Sequence, residues 1–478
     1  MMDKKEMNMP TIPGKNRRFS LTAYSQRFGT RVAEPAAEQA NGGNFSAAAQ
    51  QFAAVVEECR KFLLEPKGRT EADKSAYHEM INRAVLGFAA ERAKALAQIN
   101  DFLAKKRLQR ALFPPQYDTL AEAVFAEVIG FNVLDAIMKH GEEIEEIQVV
   151  GTSIYVVRDG HAALSPYRFS SLQDVERIQQ NLVLFNRDTF NPRKRWAEVI
   201  LRDGSRVTLT GFGFTSEPTI TIRFYPVRQF DLRQLCNERY ETISAEMKDI
   251  LGCLVRSYFN MVVIGSTNTG KTHLIKALIN EMPDHERIVT IESRYELMLR
   301  RDFPRKNIVE FEADDDDLLH SGEQAFKLAL RQSPRRICQT EIRDSDANLY
   351  VRACTRGHDG SLTSVHVNSL EDVPDAITDM CMMNGKNIDP GRLRRRIAEF
   401  VAHIGLEMAM VGGKRKLVRI GEYSYEEGEI HVNTIVQYDF ARSVWAISGK
   451  LSHKAAAKIR RYDEAGFRRL AEIGVLPS

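Results

Sequence analysis

One segment of eight residues constrains this chain more than any other feature. It matches the pattern G-x-x-x-x-G-K-[ST] at every fixed position and consists of Gly265, Ser266, Thr267, Asn268, Thr269, Gly270, Lys271 and Thr272. An apolar run from Met261 to Ile264 precedes the segment, and apolar residues at helical spacing follow it. In this order of strand, loop and helix, backbone N–H groups and a helix N-terminus converge on phosphate. The sequence therefore predicts a P-loop that binds a nucleotide.

The last two residues of the loop indicate which ligands it takes. Lys271 is expected to bridge the β- and γ-phosphates as a point charge. Thr272 is expected to offer its hydroxyl to Mg²⁺, which ties the same two phosphates together. A glycine turn that only joins a strand to a helix would not explain both side chains, so ATP and Mg²⁺ are the predicted cofactors.

Hydrolysis also requires a carboxylate near the γ-phosphate, at the end of a neighbouring strand. Two glutamates meet this requirement. Glu292 follows the apolar run that begins at Arg287, and Glu341 follows the run that begins at Arg336. Together with Lys271 they are the candidate catalytic residues. Glu292 is also a candidate Mg²⁺ ligand, directly or through water, with the metal held mainly by the nucleotide.

The length of the chain requires more than one folding unit. A chain of 478 residues should hold roughly two to four domains. Residues 1–45 read as a disordered basic tail. Residues 46–140 are expected to form a helical extension, which closes with one helix from about Tyr117 to His140. Residues 141–228 alternate strand and turn signals around a helical run and predict a small α+β domain. Residues 229–478 alternate apolar strands with helices and predict an α/β domain with a parallel sheet and a C-terminal helical part.

Charge and cysteine usage exclude several other classes. Lys and Arg number 67 and Asp and Glu 64, for a net charge of +3, so the chain is not a globally basic nucleic-acid protein. No stretch reaches the roughly 18 consecutive apolar residues that span a bilayer. The six cysteines form no CxxC pair, which argues against a zinc site and a disulfide framework. The acidic run from Asp314 to Asp317 is expected to be solvated, and the basic stretch from Lys386 to Arg419 to form exposed helix faces or a subunit contact.

Further motifs give the chain a resemblance to a known family. From about Leu120 to Asp439 it resembles the secretion-system ATPase superfamily of type II and type IV secretion and type IV pili, most closely the branch of tight-adherence (Flp) pili. The family's acidic box appears as Ile291-Glu292-Ser293 with Glu296-Leu297. The family's Walker-B-like strand appears as residues 337–343, with Glu341 as its acid. Ser293, Gln339 and Thr340 depart from the family pattern.

Two more matches extend the resemblance beyond the carboxylates. Residues 357–369 follow the family's histidine box, so the resemblance implies that His358 and His366 line the nucleotide site as sensors of the γ-phosphate. Residues 201–207 and 219–223 match the family's N-terminal domain, whose arginines close over nucleotide. The matching positions are Arg206 and Arg223. Guanidinium groups suit phosphate because they donate two parallel hydrogen bonds, but surface ion pairs are the alternative reading of these arginines.

The resemblance implies a fold and a function. It implies an α/β, RecA-like P-loop NTPase domain, preceded by a small α+β (PAS-like) domain and the helical extension. It also implies a cytoplasmic homo-hexamer that hydrolyses ATP at the inner face of the cell membrane and drives an inner-membrane platform protein of a pilus or secretion system. Neither zinc nor direct nucleic-acid binding is expected. The alternatives are a conjugative type IV secretion ATPase, a nucleotide-bound scaffold with impaired hydrolysis, and a nucleic-acid translocase.

Overall fold

A computed structural model describes most of the chain. The described residues are 42–139, 144–186, 189–225, 230–314, 317–342, 346–383 and 389–477, with the backbone alone for 42–49 and 184–186. Most of the predicted basic tail, the middle of the acidic run, Arg343, and part of the basic stretch that begins at Lys386 lie outside the described residues.

Five helices open the described chain. They are α1 (Gly42–Leu64), α2 (Glu71–Val85), α3 (Ala89–Lys105), α4 (Leu120–Val128) and α5 (Val133–Lys139). The single helix predicted from Tyr117 to His140 is therefore wrong. The chain breaks at Asn132, whose φ is 54°, and the Asp135 carboxylate accepts a hydrogen bond from the Phe131 backbone N–H at 2.8 Å. A side chain that caps the second helix in this way separates it from the first.

A six-stranded antiparallel sheet follows the helices, as the predicted α+β domain requires. Its elements are β1 (Glu146–Val150), β2 (Ser153–Arg158), β3 (His161–Arg168), α6 (Leu172–Asn186), β4 (Trp196–Ile200), β5 (Arg206–Thr210) and β6 (Thr219–Arg223). The strand order is β3-β2-β1-β6-β5-β4. Buried residues alternate with more exposed ones along β1, β5 and β6, so one face of the sheet packs inward and the other is open.

The helical extension and this sheet share one hydrophobic core. A continuous cluster of buried side chains runs from Phe52 in α1, through Phe125 in α4, to Ile222 in β6. The guanidinium of Arg92 also pairs with the buried Asp135 at 3.1 Å. The helices thus cover the inner face of the sheet and leave its outer face turned away from them.

The second half of the chain is built on a nine-stranded sheet. Its strands are β7 (Met261–Ile264), β8 (Ile288–Glu292), β9 (Ile308–Glu312), β10 (Arg336–Gln339), β11 (Leu362–Val365), β12 (Ile404–Val411), β13 (Lys414–Glu426), β14 (Glu429–Asp439) and β15 (Val444–Ile447). Their order is β15-β14-β13-β12-β7-β11-β10-β8-β9. From β12 to β9 every neighbouring pair is parallel. All residues of β7, β8, β10 and β11 are buried, as expected for strands covered on both faces.

Helices surround the parallel part of the sheet. They are α7 (Leu232–Cys236), α8 (Ala245–Arg256), α9 (Lys271–Asn280), α10 (Leu299–Asp302), α11 (Gly322–Ala329), α12 (Ala347–Cys354), α13 (Val373–Met383), α14 (Pro390–Arg396), α15 (His453–Tyr462) and α16 (Glu464–Ile473). Two buried clusters lie on opposite faces of the sheet, since Val263 of β7 belongs to one and its neighbour Val262 to the other. The predicted parallel α/β domain is confirmed.

The last four strands differ from the prediction of a purely parallel sheet. Strands β12 to β15 pair antiparallel in sequence order. Gly412 and Gly413, with φ of 57° and 77°, form the turn between β12 and β13. A two-residue turn joins only antiparallel strands, whereas a parallel connection needs a long crossover. Because β12 itself runs parallel to β7, this turn lies at the same sheet edge as the P-loop.

None of the helices in the described ranges is both long and apolar enough to cross a bilayer.

Candidate nucleotide site

The P-loop connects β7 to α9 with the conformation that its glycines allow. Gly265 and Gly270 have φ of 139° and 92°, and a Cβ at Gly265 would lie 2.3 Å from the backbone oxygen of Met408. Only glycine fits there without displacing the neighbouring strand. Thr269 donates its hydroxyl hydrogen to the Ser266 carbonyl at 2.8 Å, which ties the loop together. The loop is therefore preformed at the carboxyl edge of the sheet.

Lys271 lies folded back on this loop. Its Nζ donates to the carbonyl oxygens of Gly265 and Ser266 at 2.7 and 2.9 Å, and the residue is 9% exposed. Burial lowers the pKa of Lys271 below its usual value, and the nearby Glu341 opposes that shift. An ammonium group held by neutral carbonyl oxygens can turn to phosphate oxygens without breaking an ion pair.

Glu341 and His366 come together beside the lysine. Glu341 follows β10 and His366 follows β11, so both lie at the carboxyl edge of the parallel strands. Glu341 Oε1 is 3.0 Å from His366 Nε2, and His366 Nδ1 is 3.5 Å from Lys271 Nζ. Both side chains are partly open to the cleft. The fold thus places a carboxylate and an imidazole next to the P-loop lysine.

Glu292 ends β8 at the same edge but lies below the surface of the cleft. It is 2% exposed, and its Oε2 accepts hydrogen bonds from the backbone N–H groups of Glu296 and Leu297, both at 3.0 Å. Its Oε1 has no hydrogen-bond partner among the described residues. Burial raises the pKa of Glu292 to about 8. In this geometry the carboxyl group holds the following loop, and it does not line the cleft as a catalytic or metal-binding group would.

Arg206 and Arg223 lie on the opposite wall, on the outer face of the antiparallel sheet. They are direct cross-strand neighbours in β5 and β6, and both line the cleft. Arg206 forms an ion pair with Glu198, and Arg223 Nε lies 3.2 Å from Glu146 Oε2. The structure thus brings both predicted arginines to the site, and it also gives each of them the ion pair that was the alternative reading.

The two histidines of the histidine box lie at opposite ends of one strand. His366 follows β11, whereas His358 precedes it by four residues and lies at the amino edge of the sheet. The ring of His358 is bonded to the Pro334 carbonyl, and burial lowers its pKa more than that bond raises it. His358 does not line the cleft. The prediction that both histidines line the nucleotide site is therefore wrong for His358, because strand β11 separates it from His366 and from the cleft.

The three residues that depart from the family pattern lie at the carboxyl ends of strands β8 and β10. Gln339 ends the buried strand β10, and its Nε2 donates to Asp346 Oδ2 at 2.6 Å, so one end of the amide is paired inside the core. The Thr340 carbonyl accepts a hydrogen bond from Ser364 Oγ at 2.5 Å. Thr340 and Ser293 both line the cleft. None of the three residues blocks the approach to the P-loop.

A cleft of about 500 Å³ separates the two walls. Sequence analysis missed part of its lining, which includes Glu145, Glu146, Gln148, Phe224, Tyr225, Phe230, Lys276 and Arg415. Tyr225 could have been predicted as a cleft residue, because it is two residues from the predicted Arg223. Arg415 could not, because its position depends on the antiparallel turn after β12.

The residues of the cleft fit a nucleotide with Mg²⁺. Thr272 and Glu341 line the cleft with a hydroxyl and a carboxylate, and oxygen ligands of this kind are those Mg²⁺ prefers. Among the described residues, no group of three or more His, Cys, Asp or Glu side chains could hold a metal unaided. The chemistry therefore fits an ion that is bound mainly by phosphate oxygens and water.

Fold and site together define a class of protein. A parallel sheet with a P-loop between its first strand and first helix, and with acidic residues at the ends of neighbouring strands, is a RecA-like P-loop nucleotide-binding domain. Residues 202–406 match the family described as Type II/IV secretion system protein. This part of the chain is therefore similar to the proteins of that family.

Several curated proteins resemble this region. The type IV secretion system protein VirB11 of Bartonella henselae is 34% identical over 185 aligned positions, which cover 32% of this chain and 51% of the relative. The type IV secretion system protein PtlH of Bordetella pertussis is 31% identical over 185 positions, which cover 38% and 54%. The chain thus spans about half the length of these relatives. Among solved structures, the Legionella pneumophila ATPase DotB is 17% identical with a TM-score of 0.46, over 62% of this chain and 81% of DotB.

Proposed function

We propose that this chain is an ATPase whose cleft binds Mg²⁺ and ATP between the RecA-like domain and the α+β domain. The observation that carries the proposal is the group of Lys271, His366 and Glu341, joined by contacts of 3.5 and 3.0 Å at one sheet edge. A cation for phosphate, a hydrogen-bonding ring and a carboxylate at such spacing suit the transfer of a phosphoryl group to water. The match of residues 202–406 to the Type II/IV secretion system protein family supports the same activity.

Each residue of this group has a distinct role in the proposed reaction. Lys271 leaves the loop carbonyls and binds the β- and γ-phosphates. Thr272 offers its hydroxyl to the magnesium that accompanies them, which neutralises phosphate charge. Glu341 orients the attacking water and accepts its proton, and His366 holds the Glu341 carboxylate while its other nitrogen faces the phosphate. The P-loop N–H groups supply fixed dipoles around the same oxygens.

The experiment is a measurement of phosphate release by the purified full chain with Mg²⁺ and ATP. The Glu341→Gln variant keeps the size of the side chain but cannot accept a proton. We expect its hydrolysis to fall by about 100-fold to 10,000-fold, as for loss of a general base, while ATP binding persists. Glu323→Gln, the same change on the exposed helix α11, is the control. Hydrolysis by Glu341→Gln at the wild-type rate would refute the catalytic role.

The proposed biological role is a motor for a membrane-embedded machine. Nucleotide bound between two domains can draw them together, and its hydrolysis can release them. A homo-hexameric ring of such units, at the cytoplasmic face of the inner membrane, would pass this movement to a platform protein of a pilus or secretion system. Native mass spectrometry with and without a non-hydrolysable ATP analogue tests the ring. A monomer under both conditions would contradict it.

Two machines remain in the proposal because different observations favour them. The motifs of the sequence favour the tight-adherence pilus branch, and the VirB11 and PtlH relatives, which are described as type IV secretion proteins, favour a secretion machine. Neighbouring genes separate the two, since pilin and prepilin-peptidase genes favour a pilus and relaxase and coupling-protein genes favour conjugation. A wild-type chain that binds ATP but releases no phosphate would instead favour a nucleotide-bound scaffold.

A further inference from the structure

Arg415 lies at the mouth of the cleft, between the two domains. It is the second residue of β13 and follows the turn at Gly412 and Gly413, which reaches the sheet edge that carries the P-loop. Its side chain is 18% exposed, and it lines the cleft. Its guanidinium group contacts both domains.

One side of Arg415 holds the P-loop. Its Nε donates a hydrogen bond to the backbone oxygen of Asn268 at 3.0 Å. Asn268 has a φ of 65°, in the left-handed region that residues other than glycine rarely adopt. The arginine Cδ also lies close to Gly270, where an added Cβ would come within 3.0 Å of it. The side chain therefore supports the loop at a residue in the left-handed region.

The other side of Arg415 holds the α+β domain. Its two terminal nitrogens each lie 2.8 Å from one oxygen of the Glu145 carboxylate, in the parallel geometry of a strong arginine–carboxylate pair. Burial raises the pKa of Glu145, but the bonds from Arg415 outweigh this effect and the net shift is downward. The carboxylate also accepts the Gly160 backbone N–H at 3.1 Å. Glu145 is thus anchored at the turn between β2 and β3.

A single planar group therefore joins the phosphate-binding loop to the facing domain. We infer that Arg415 is a positioning residue, an interdomain latch that keeps the P-loop in its binding conformation only while the α+β domain is closed on it. The inference rests on the proposed nucleotide-binding function. It deepens that function by naming the contact through which domain movement changes nucleotide affinity.

The geometry explains why a lysine would not serve. A lysine amine could still pair with Glu145, but it has no second nitrogen placed to reach Asn268 at the same time. Movement of the α+β domain carries Glu145 away and so shifts the guanidinium that supports the loop. A second contact, from Arg301 Nη1 to the Asp203 carbonyl at 3.1 Å, joins the domains elsewhere but does not touch the P-loop.

A double-mutant cycle tests the latch. The variants are Arg415→Gln, Glu145→Gln and the two combined, with the dissociation constant of Mg²⁺ and a fluorescent ATP analogue as the readout. We expect each single change to weaken binding by about fivefold to 20-fold, within the range of coupling between sites. The double variant should bind no worse than the weaker single variant, because the two residues act as one unit. In steady-state kinetics, KM should rise more than kcat falls.

A neighbouring ion pair gives the matched control. Lys414 and Glu241 lie 2.8 Å apart next to the latch, outside the cleft lining and within the RecA-like domain. Lys414→Gln and Glu241→Gln should leave the dissociation constant unchanged. Arg415→Lys should keep the wild-type melting temperature yet weaken binding, because it loses the bond to Asn268 but keeps a positive charge.

Several outcomes would overturn the latch. Tighter binding by Glu145→Gln would mean that Glu145 competes with phosphate for Arg415. Effects that multiply in the double variant would mean that the two residues act independently, and unchanged affinity in both single variants would mean that the pair is only structural. All three require a wild-type chain that binds the analogue. Failure of the wild type itself would count against the proposed function instead.

Discussion

The two walls of the cleft hold their cations in different ways. On the RecA-like wall, the ammonium group of Lys271 rests on neutral carbonyl oxygens of its own loop. On the α+β wall, Arg206 and Arg223 are already paired with carboxylates of neighbouring strands. Transfer of Lys271 to a phosphate gains an ion pair, whereas transfer of either arginine exchanges one ion pair for another. Under the proposed function, the first wall therefore provides affinity for nucleotide, and the second wall responds to nucleotide that is already bound.

This difference suits a site that couples binding to movement. Binding of phosphate by Lys271 breaks no ion pair, whereas a wall whose arginines change partners moves only when the gain exceeds the loss of its own pairs. The free energy of closure is then small, so the two domains can open again when the γ-phosphate leaves.

The largest effect is expected from Lys271→Ala on the RecA-like wall. The change removes the buried cation that faces phosphate, so the dissociation constant for ATP should rise by at least about 100-fold, as for loss of a strong charge-assisted contact. Isothermal titration calorimetry with Mg²⁺ and ATP measures it. Lys327→Ala on α11, whose ammonium lies 2.9 Å from Glu323 at an exposed position, is the control and should bind as the wild type does. Near-wild-type affinity in Lys271→Ala would contradict the assignment of affinity to this wall.

A pair of opposite effects is expected on the α+β wall. Arg223→Gln removes a guanidinium from the cleft and should weaken binding of ATP about threefold to tenfold. Glu146→Gln frees the same arginine and should strengthen binding about twofold to fivefold, because a partly exposed ion pair contributes roughly 1 kcal/mol or less. Fluorescence titration with an ATP analogue measures both changes.

Whether Glu146→Gln strengthens or weakens ATP binding decides whether the arginines of the α+β wall change partners. Weaker binding would mean that Glu146 holds Arg223 in the position from which it binds phosphate. In that case both walls would be preformed, and the α+β wall would not change partners. Arg193→Gln, an exposed position in the same domain, controls for the loss of a positive charge and should leave affinity unchanged.

The two walls differ in how far the sequence predicts them, because one is built from local segments and the other from contacts between distant segments. The P-loop is one continuous segment whose conformation follows from its own glycines, so residues 265–272 could be recognised without the rest of the fold. Glu341 and His366 follow buried strands, and parallel strands bring their carboxyl ends to one edge. The sequence contained enough local information for all of these positions.

The remaining residues depend on contacts between distant segments. Arg415 and Glu145 are 270 positions apart and meet only because the turn after β12 returns the chain to the P-loop. His358 matched a family motif, but the length of β11 carries it to the far edge of the sheet. The parallel strands were predictable from apolar runs, whereas strands β13 and β14 pair antiparallel and extend the sheet without a crossover helix. Tertiary packing decided these features.

The smallest effect concerns Glu292, beneath the RecA-like wall. Its pKa is raised from the usual 4.5 to about 8 by burial, so the native state favours the protonated form. A raised carboxyl pKa contributes stability that is complete below about pH 4.5 and is lost as the pH rises to about 8. Above that pH the native state must either keep a buried charge on Glu292 or release the loop that contains Glu296 and Leu297.

Glu292→Gln isolates this contribution, because glutamine keeps an oxygen for the two backbone N–H groups and does not ionise. Melting temperatures between pH 6 and pH 9 should fall more steeply for the wild type than for the variant, with a difference on the order of 1 kcal/mol per pH unit at most. Glu312→Gln, a half-buried carboxyl on β9, is the control and should follow the wild type. Parallel curves for Glu292→Gln and wild type would mean that Glu292 is ionised in the native state at neutral pH. It would then be available to the cleft as a base, and the buried, loop-holding role assigned to it would be wrong.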